Sequence, residues 1–150
     1  MILNLRHTGL VVKDLQASLD FYIKQLGFRV KVKANEDRTF IDAILGLHDS
    51  ELTTVKLELK DGEMIELLDF KENTTNMIDR KIIDTGPTHM AFTVDDLDEI
   101  YKSFSENGIE FISAPKISPN GFAKVAFCSA PEGTYIELVE LLTEPSSESK

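Results

Sequence analysis

Two stretches of the chain repeat the same order of apolar and polar positions. Residues 6–15 read RHTGLVVKDL and residues 88–97 read THMAFTVDDL, so each places His, Val, Asp and Leu at the same spacing. The alternation of large apolar residues with small or polar ones is typical of a strand with one buried face. Each stretch is therefore predicted to be a strand that ends at an aspartate.

A helical pattern follows each of these strands, because apolar residues recur three, four and seven positions apart. The apolar positions are Leu15, Leu19, Tyr22, Ile23 and Leu26 in the first half, and Leu97, Ile100, Tyr101 and Phe104 in the second. Asp14 and either Asp95 or Asp96 are suitable N-caps, since a short acidic side chain accepts from free backbone N–H groups. Gly27 and Gly108 stand where a left-handed cap ends a helix.

The end of each half is predicted to be a pair of strands joined by a short turn. Residues 54–70 read TVKLELKDGEMIELLDF, with the turn at Asp61 and Gly62. Residues 124–141 read KVAFCSAPEGTYIELVEL, with the turn around Pro131 to Gly133. Gly and Pro between alternating apolar runs favour such turns.

Another strand is predicted directly after each helix, in GFRVKV (residues 27–32) and in GIEFIS (residues 108–113). The following segment of the second half, SAPKISPNG (residues 113–121), is predicted to be a loop. Residues 34–51, which contain FIDAILGL, are interpreted as a short strand or an irregular connection.

The pattern therefore predicts an α+β fold in which a β-α-β-β-β module occurs twice within one compact domain. The first module spans residues 1–70 and the second residues 88–143; residues 71–87 link them, and residues 144–150 form a polar, disordered tail. One helix covers only one face of each small sheet. The other face must be closed by the partner module or by a second chain, and a site can form there.

Composition narrows the class of protein. The chain has 150 residues, of which 42% are hydrophobic and 28% charged, as in ordinary globular domains. Its formal net charge of −10 argues against nucleic acid or an anionic membrane as a partner. No apolar run has membrane-spanning length, and no signal peptide is recognisable. The single cysteine, Cys128, fits a reducing cytosol and is interpreted as a buried thiol, so we expect a cytoplasmic protein.

Each module also carries a glutamate inside an apolar strand and a histidine at the start of another strand. Glu66 lies in GEMIELLDF and Glu137 in GTYIELVEL, at the same offset from a glycine. A carboxylate is costly to bury without a partner. Strand alternation places His7 and His89 opposite the large apolar residues, beside small residues that leave room for a ligand.

Two imidazoles and two carboxylates suit a divalent metal ion, which would offset the charge of the glutamates. Zn, Ni, Co, Mn and Fe all accept such donors. A lone histidine in a strand is more often a hydrogen-bonded core residue or a surface residue than a metal ligand. A lone glutamate in an apolar strand is usually an edge residue that faces water. The same pair in the same order in both modules favours the metal site. The third histidine, His48, has no counterpart and is interpreted as a loop residue.

Over residues 4–142 the sequence resembles the vicinal oxygen chelate superfamily, which includes glyoxalase I, methylmalonyl-CoA epimerase, extradiol dioxygenases and antibiotic-resistance proteins. The segments that carry the resemblance are HTGLVVKDL with DFYIKQLGF, DGEMIELL, THMAFTVDDLD and APEGTYIELVE. The resemblance implies two βαβββ modules that form an incomplete eight-stranded barrel around one divalent metal. The implied ligands are His7, Glu66, His89 and Glu137.

A His-Glu-His-Glu set is similar to that of glyoxalase I. The resemblance thus implies a metal-dependent lyase or isomerase that removes a proton next to a metal-bound carbonyl of a small oxygenated substrate, with Glu137 as the base and Glu66 as the second choice. Residues 32–47 lack the ENPEY-like segment associated with glutathione binding in bacterial glyoxalase I, and Glu66 replaces the glutamine usual in epimerases. The substrate is therefore left open.

Two alternatives stay open beside this function. An extradiol-type Fe(II) dioxygenase would need only three protein ligands, and a non-enzymatic binding or resistance protein would need no metal. Members of the superfamily form the site within one chain or share it across a dimer. We expect a homodimer.

Overall fold

Each half of the chain folds into its own four-stranded sheet. The computed structural model describes residues 1–75 and 79–142. The chain divides into two compact units, Met1–Ile78 and Asp79–Lys150, which contain the first and the second module. Both sheets carry helices, and the predicted α+β class is confirmed.

In the first module, β4 is a central strand of the sheet. The elements are β1 (Thr8–Val11), α1 (Leu15–Asp20), a π-helical turn (Phe21–Gln25), β2 (Arg29–Asn35), α2 (Arg38–Leu45), β3 (Thr53–Glu58), β4 (Met64–Asp69) and a 3-10 turn (Lys71–Asn73). The strand order is β1-β4-β3-β2. β1 runs parallel to β4, and the other pairs are antiparallel. Glu66 on β4 therefore has strands on both sides.

The second module repeats this connectivity. Its elements are β5 (His89–Val94), α3 (Leu97–Glu106), β6 (Lys116–Ile117), β7 (Ala123–Ser129) and β8 (Tyr135–Leu141). The strand order is β5-β8-β7-β6, with β5 parallel to β8 and the other pairs antiparallel. The predicted β-α-β-β-β order is confirmed here, and the first module has it with one additional helix.

The predicted helix signals are confirmed at both ends. Asp14 accepts a hydrogen bond from the backbone N–H of Ala17 at 3.0 Å. Of the two candidates in the second module, Asp96 is the cap, and it accepts from Glu99 N–H at 3.0 Å. Gly27 and Gly108 have φ angles of 80° and 79°, which other residues rarely adopt.

The core of each module lies between its helix and one face of its sheet. Helix α1 contacts β4, and α3 contacts β7 and β8. The largest fully buried apolar side chains are Tyr22, Leu57 and Leu67 in the first module and Leu97, Ile136 and Leu138 in the second. Burial of each such side chain contributes roughly 1.5–3 kcal/mol. The residues on either side of each strand glutamate are thus buried, and the glutamates lie on the opposite, less buried face.

The prediction of a short strand or irregular connection across residues 34–51 was wrong, because this region contains helix α2. Asp37 caps its start by accepting from Phe40 N–H at 2.8 Å. Gly46, with a φ angle of 66°, caps its end. Among its apolar residues Ile41 is buried, while Phe40 and Ile44 are exposed. The helix therefore begins and ends at local capping signals.

Replacing Asp37 with alanine should lower the free energy of unfolding by about 1 kcal/mol, because an N-cap side chain satisfies a backbone donor that the helix leaves free. Chemical denaturation of Asp37→Ala and wild type measures the difference. Asp37→Ser keeps a capping oxygen and should lose far less. Equal loss in both variants would show that the cap is not what Asp37 contributes.

The prediction of a strand over residues 108–113 was also wrong in its extent. Only Phe111 forms an isolated bridge, to Cys128, and the following strand β6 lies inside the segment predicted to be a loop. Pro115 has no N–H to donate, which interrupts pairing with β7 before β6 begins. The ring of Phe111 packs against Tyr101 and Phe104 of α3, at centroid distances of 4.8 and 6.3 Å.

Cys128 is fully buried on β7, as predicted. Burial raises the pKa of its thiol to about 11, so the thiolate form is disfavoured. No helix in residues 1–75 or 79–142 has both the length and the hydropathy needed to cross a membrane. The predicted tail, residues 144–150, lies outside the described residues, and the predicted domain boundaries stay predictions.

Candidate metal centre

The first module brings His7 and Glu66 together. His7 directly precedes β1, and Glu66 lies in the middle of the neighbouring parallel strand β4. The His7 Nε2 atom is 3.7 Å from Glu66 Oε1, with 25% and 14% of the two side chains exposed. His7 Nδ1 is buried and has no hydrogen-bond partner among the residues that the structure describes.

The second module brings His89 and Glu137 together in the same way, from the parallel strands β5 and β8. The His89 Nε2 atom is 3.4 Å from Glu137 Oε2. His89 Nδ1 is 3.3 Å from the Thr88 hydroxyl. A neutral ring that donates its Nδ1–H to this hydroxyl keeps Nε2 free as a ligand, as metal-binding histidines usually do.

These distances fit two donors to one divalent ion. Nitrogen and oxygen ligands lie about 2.1 Å from such an ion, so two of them are about 3.4 Å apart at the tetrahedral angle and about 3.0 Å apart at a right angle. The observed separations, 3.7 Å in the first module and 3.4 Å in the second, are within a few tenths of an Å of the tetrahedral value. Neutral imidazole and carboxylate are suitable donors for Zn, Ni, Co, Mn and Fe.

Each pair is only part of the predicted ligand set. Within the part of the chain that the structure describes, no three His, Cys, Asp or Glu side chains are grouped so that they could hold an ion. The structure thus brings together His7 with Glu66, and His89 with Glu137. That all four residues bind the same ion stays a prediction.

The two glutamates have small residues on one neighbouring strand, as the sequence suggested. Gly9 on β1 pairs with Glu66, and Ala91 on β5 pairs with Glu137. Gly9 and Ala91 each lie two residues after the histidine, on the face that His89 and His7 share with them. The Leu68 side chain of β4 reaches to 3.4 Å from the position that a Cβ of Gly9 on β1 would take.

Sequence reasoning missed Lys56, which lies beside Glu66 on the other neighbouring strand. Lys56 on β3 pairs directly with Glu66, and its Nζ is 3.8 Å from Glu66 Oε2. The turn at Asp61 and Gly62 was a usable signal. In an antiparallel hairpin centred on Asp61, the residue five positions before the turn faces the residue five positions after it.

His48 lies outside both pairs, as predicted for a loop residue. Its side chain is 93% exposed, and its Nε2 is 3.3 Å from Asp49 Oδ2. His48 is therefore a histidine that lies beside a carboxylate, and both side chains are largely exposed to water.

Comparison with known proteins identifies the family. The sequence model of the Glyoxalase/Bleomycin resistance protein/Dioxygenase superfamily matches residues 4–138. The chain belongs to this superfamily. The resemblance recognised in the sequence is thereby confirmed, and the two His–Glu pairs are found in a glyoxalase superfamily member.

Several members of the superfamily are similar over nearly the whole chain. A lactoylglutathione lyase of Escherichia coli O157:H7 is 28% identical over 140 residues, which cover 92% of this chain and 93% of that protein. A glyoxalase family protein of Bacillus cereus has a TM-score of 0.85 at 23% identity, covering 95% of this chain and 97% of its own. The fosfomycin resistance protein FosX of Listeria monocytogenes, solved with Mn(II) and sulfate, has a TM-score of 0.66 at 18% identity, covering 96% of this chain and 97% of its own. The structural similarities show the shared fold.

Proposed function

We propose that this superfamily member is a divalent-metal-dependent lyase or isomerase of the glyoxalase I type. It would remove a proton from the carbon next to a carbonyl of a small oxygenated substrate. The observation that carries the proposal is the duplicated His–Glu pair, with Nε2 to Oε distances of 3.7 and 3.4 Å at equivalent places in the two modules. The similarity to a lactoylglutathione lyase supports a lyase within this diverse superfamily.

The residues proposed to hold the ion are His7, Glu66, His89 and Glu137. The two pairs would come from one chain, or one pair from each chain of a homodimer. When bound, Zn, Ni, Co, Mn or Fe supplies a Lewis acid that stabilises negative charge on the substrate oxygen, which contributes several kcal/mol.

Glu137 is proposed as the base. Its carboxylate would take the proton from the carbon beside the carbonyl, breaking a C–H bond and forming an O–H bond. Returning that proton to the neighbouring carbon, while the proton of the substrate hydroxyl passes to the former carbonyl oxygen, completes an isomerisation. Returning it to the other face of the same carbon completes an epimerisation. Glu66 is the second choice, and the Lys56 ammonium lies 3.8 Å from its Oε2. The residue that pairs with Glu137 at the equivalent position, on β7, is the uncharged Phe127.

A metal-free binding protein is the second candidate, and Lys56 is the observation that favours it. Its ammonium already gives Glu66 a counter-charge within the chain. In such a protein the His–Glu pairs would bind ligand oxygens by hydrogen bonds, and chelators would leave ligand binding unchanged.

Exchange of substrate protons with solvent tests the proposed reaction and does not require the product to be identified. The protein, loaded in turn with Ni, Co, Zn, Mn or Fe, is incubated in D2O with α-hydroxy ketones, α-hydroxy acids and the thiohemiacetals of methylglyoxal. NMR should show deuterium at the carbon next to the carbonyl of at least one compound, because a base that removes this proton exchanges it with water. Exchange should fall to the uncatalysed rate after chelation.

The matched control is the same protein after metal removal and reloading, which should regain exchange. Ring opening of a catechol with oxygen uptake by the iron form alone would instead indicate a dioxygenase. No exchange with any metal, together with chelator-resistant binding of a compound from the panel, would support the metal-free binding protein and contradict the proposal.

A further inference from the structure

The two modules differ in charge at one equivalent position beside their glutamates. Lys56 stands ten residues before Glu66 and pairs with it across β3 and β4. Phe127 stands ten residues before Glu137 and pairs with it across β7 and β8. At this position the first module therefore has a cation and the second has an aromatic ring.

The Lys56 ammonium is held close to Glu66 but is not hydrogen-bonded to it. The distance from Nζ to Glu66 Oε2 is 3.8 Å, beyond the range of about 2.7–3.2 Å for an N–H···O hydrogen bond. The other carboxylate oxygen, Oε1, faces His7. Only 27% of the Lys56 side chain is exposed.

Other cations of the first module have nearer partners. Arg29 is 2.9 Å from a carboxylate oxygen of Glu58. The Arg38 guanidinium donates to the backbone oxygen of Ser50 at 3.0 Å. Lys24, on the π-helical turn, is 3.1 Å from Asp20. These side chains are thus used in local contacts, whereas the half-buried Lys56 has donors to offer beside a site residue.

A partly buried ammonium with unused donors is unfavourable, and an anionic acceptor relieves that cost. Such an acceptor would lie beside the His7–Glu66 pair. On the second module the Phe127 ring lies edge-on to His89, at a centroid distance of 5.5 Å, and offers apolar contact without charge.

We propose that Lys56 binds an anionic oxygen of the substrate, from a carboxylate or a phosphoryl group. The substrate would then carry a negative charge next to the oxygens that approach the His7–Glu66 pair. This inference rests on the proposed function, since it assigns the substrate class of the same site. Lys56 is thereby a specificity-determining residue, and the second module contributes no equivalent charge.

Binding of small anions to the metal-loaded protein tests the assignment without a known substrate. Wild type, Lys56→Met, Lys56→Arg and Lys24→Met are loaded with Co(II), and their metal content is measured. Each is then titrated calorimetrically with oxalate, with inorganic phosphate and with acetohydroxamic acid, which has vicinal oxygens but is uncharged in neutral solution. Lys24→Met is the matched control, because it removes an exposed, ion-paired lysine of the same module.

Loss of the ammonium in Lys56→Met should weaken oxalate or phosphate binding about 10- to 100-fold, as expected for a hydrogen bond between charged groups. Lys56→Arg should stay within about 3-fold of wild type, as should Lys24→Met, and acetohydroxamic acid should bind all four proteins similarly. A loss for oxalate alone would identify a carboxylate, and a loss for phosphate alone a phosphoryl group.

Unchanged oxalate and phosphate affinities in a Lys56→Met protein that retains Co(II) would overturn the Lys56 assignment and leave the proposed function standing. Failure of wild type to bind Co(II) or any other divalent ion would overturn the proposed function, and the Lys56 assignment with it. The measured metal content therefore separates the two failures.

Discussion

Replacing His89 with alanine is expected to abolish binding of the divalent metal ion while the protein stays folded. The imidazole is one of four proposed donors, and its Nε2 already lies 3.4 Å from Glu137. Loss even of a group that only supports a ligand lowers metal affinity by about 10- to 100-fold, so loss of the ligand should cost more than about 100-fold. The fold should persist, because His89 lies on the exposed face of β5.

Elemental analysis of protein purified without chelator gives the measurement, beside circular dichroism to confirm folding. Wild type should contain about one ion per chain, as the four-donor site requires, and His89→Ala a small fraction of that. His7→Ala should behave in the same way, because the proposed site needs both pairs. The identity of the ion would also separate a lyase that uses Ni, Co or Zn from an iron dioxygenase.

His48→Ala is the matched control. It removes another histidine that lies beside a carboxylate, with Nε2 3.3 Å from Asp49 Oδ2, but in an exposed loop. Its metal content should equal that of wild type. If His89→Ala kept its metal while remaining folded, the ligand set would be wrong, and the paired His and Glu residues would have to act by hydrogen bonding alone.

The second large effect is expected for Glu137→Gln, which should lower the rate of substrate proton exchange by about 10²- to 10⁴-fold, the usual contribution of a positioned general base. Glutamine keeps the shape of the side chain and an oxygen that can bind the metal ion, but it cannot take up a proton as the carboxylate does. The loss should therefore fall mainly on the rate and less on the metal content.

Deuterium exchange into a responsive substrate measures this effect at full metal loading. Glu66→Gln should reduce exchange less, because Glu137 rather than Glu66 is proposed as the base. Glu106→Gln, at the exposed end of α3, controls for the loss of one negative charge. A metal-loaded Glu137→Gln protein with the wild-type exchange rate would contradict the assignment, and a larger loss in Glu66→Gln would move the base to the first module.

Much of the secondary structure could be predicted because its signals are local. The caps at Asp14 and Asp96 act within three residues, and strand alternation placed His89 on the face opposite the large apolar residues of β5. Helix α2 was missed because its short apolar segment, FIDAILGL, is compatible with either periodicity. Strand β6 was misplaced because a two-residue strand is defined by its partner β7 rather than by its own residues.

The site likewise combines features that local sequence indicates with features that depend on pairing between distant strands. The repeated motifs singled out His7, Glu66, His89 and Glu137 as candidate ligands, because residues at equivalent positions of a duplicated module carry the same chemistry. The resemblance of these motifs to known proteins pointed to the superfamily. The meeting of each histidine with its glutamate depends on a parallel pairing between strands that are more than forty residues apart in sequence. Such a register is set by packing of the whole sheet, and local sequence does not encode it.

The sequence by itself thus determined the fold class and the residues available for chemistry, through periodicity, capping and repetition, and the family, through the resemblance of its motifs to known members. Only the tertiary structure decided which donors stand 3.4 and 3.7 Å apart. It also decided that Lys56 and Phe127 occupy matching places beside the two glutamates. The physical reason is strand register: hydrogen bonds across the sheet select each side chain's neighbours, and those neighbours set the charge around the site.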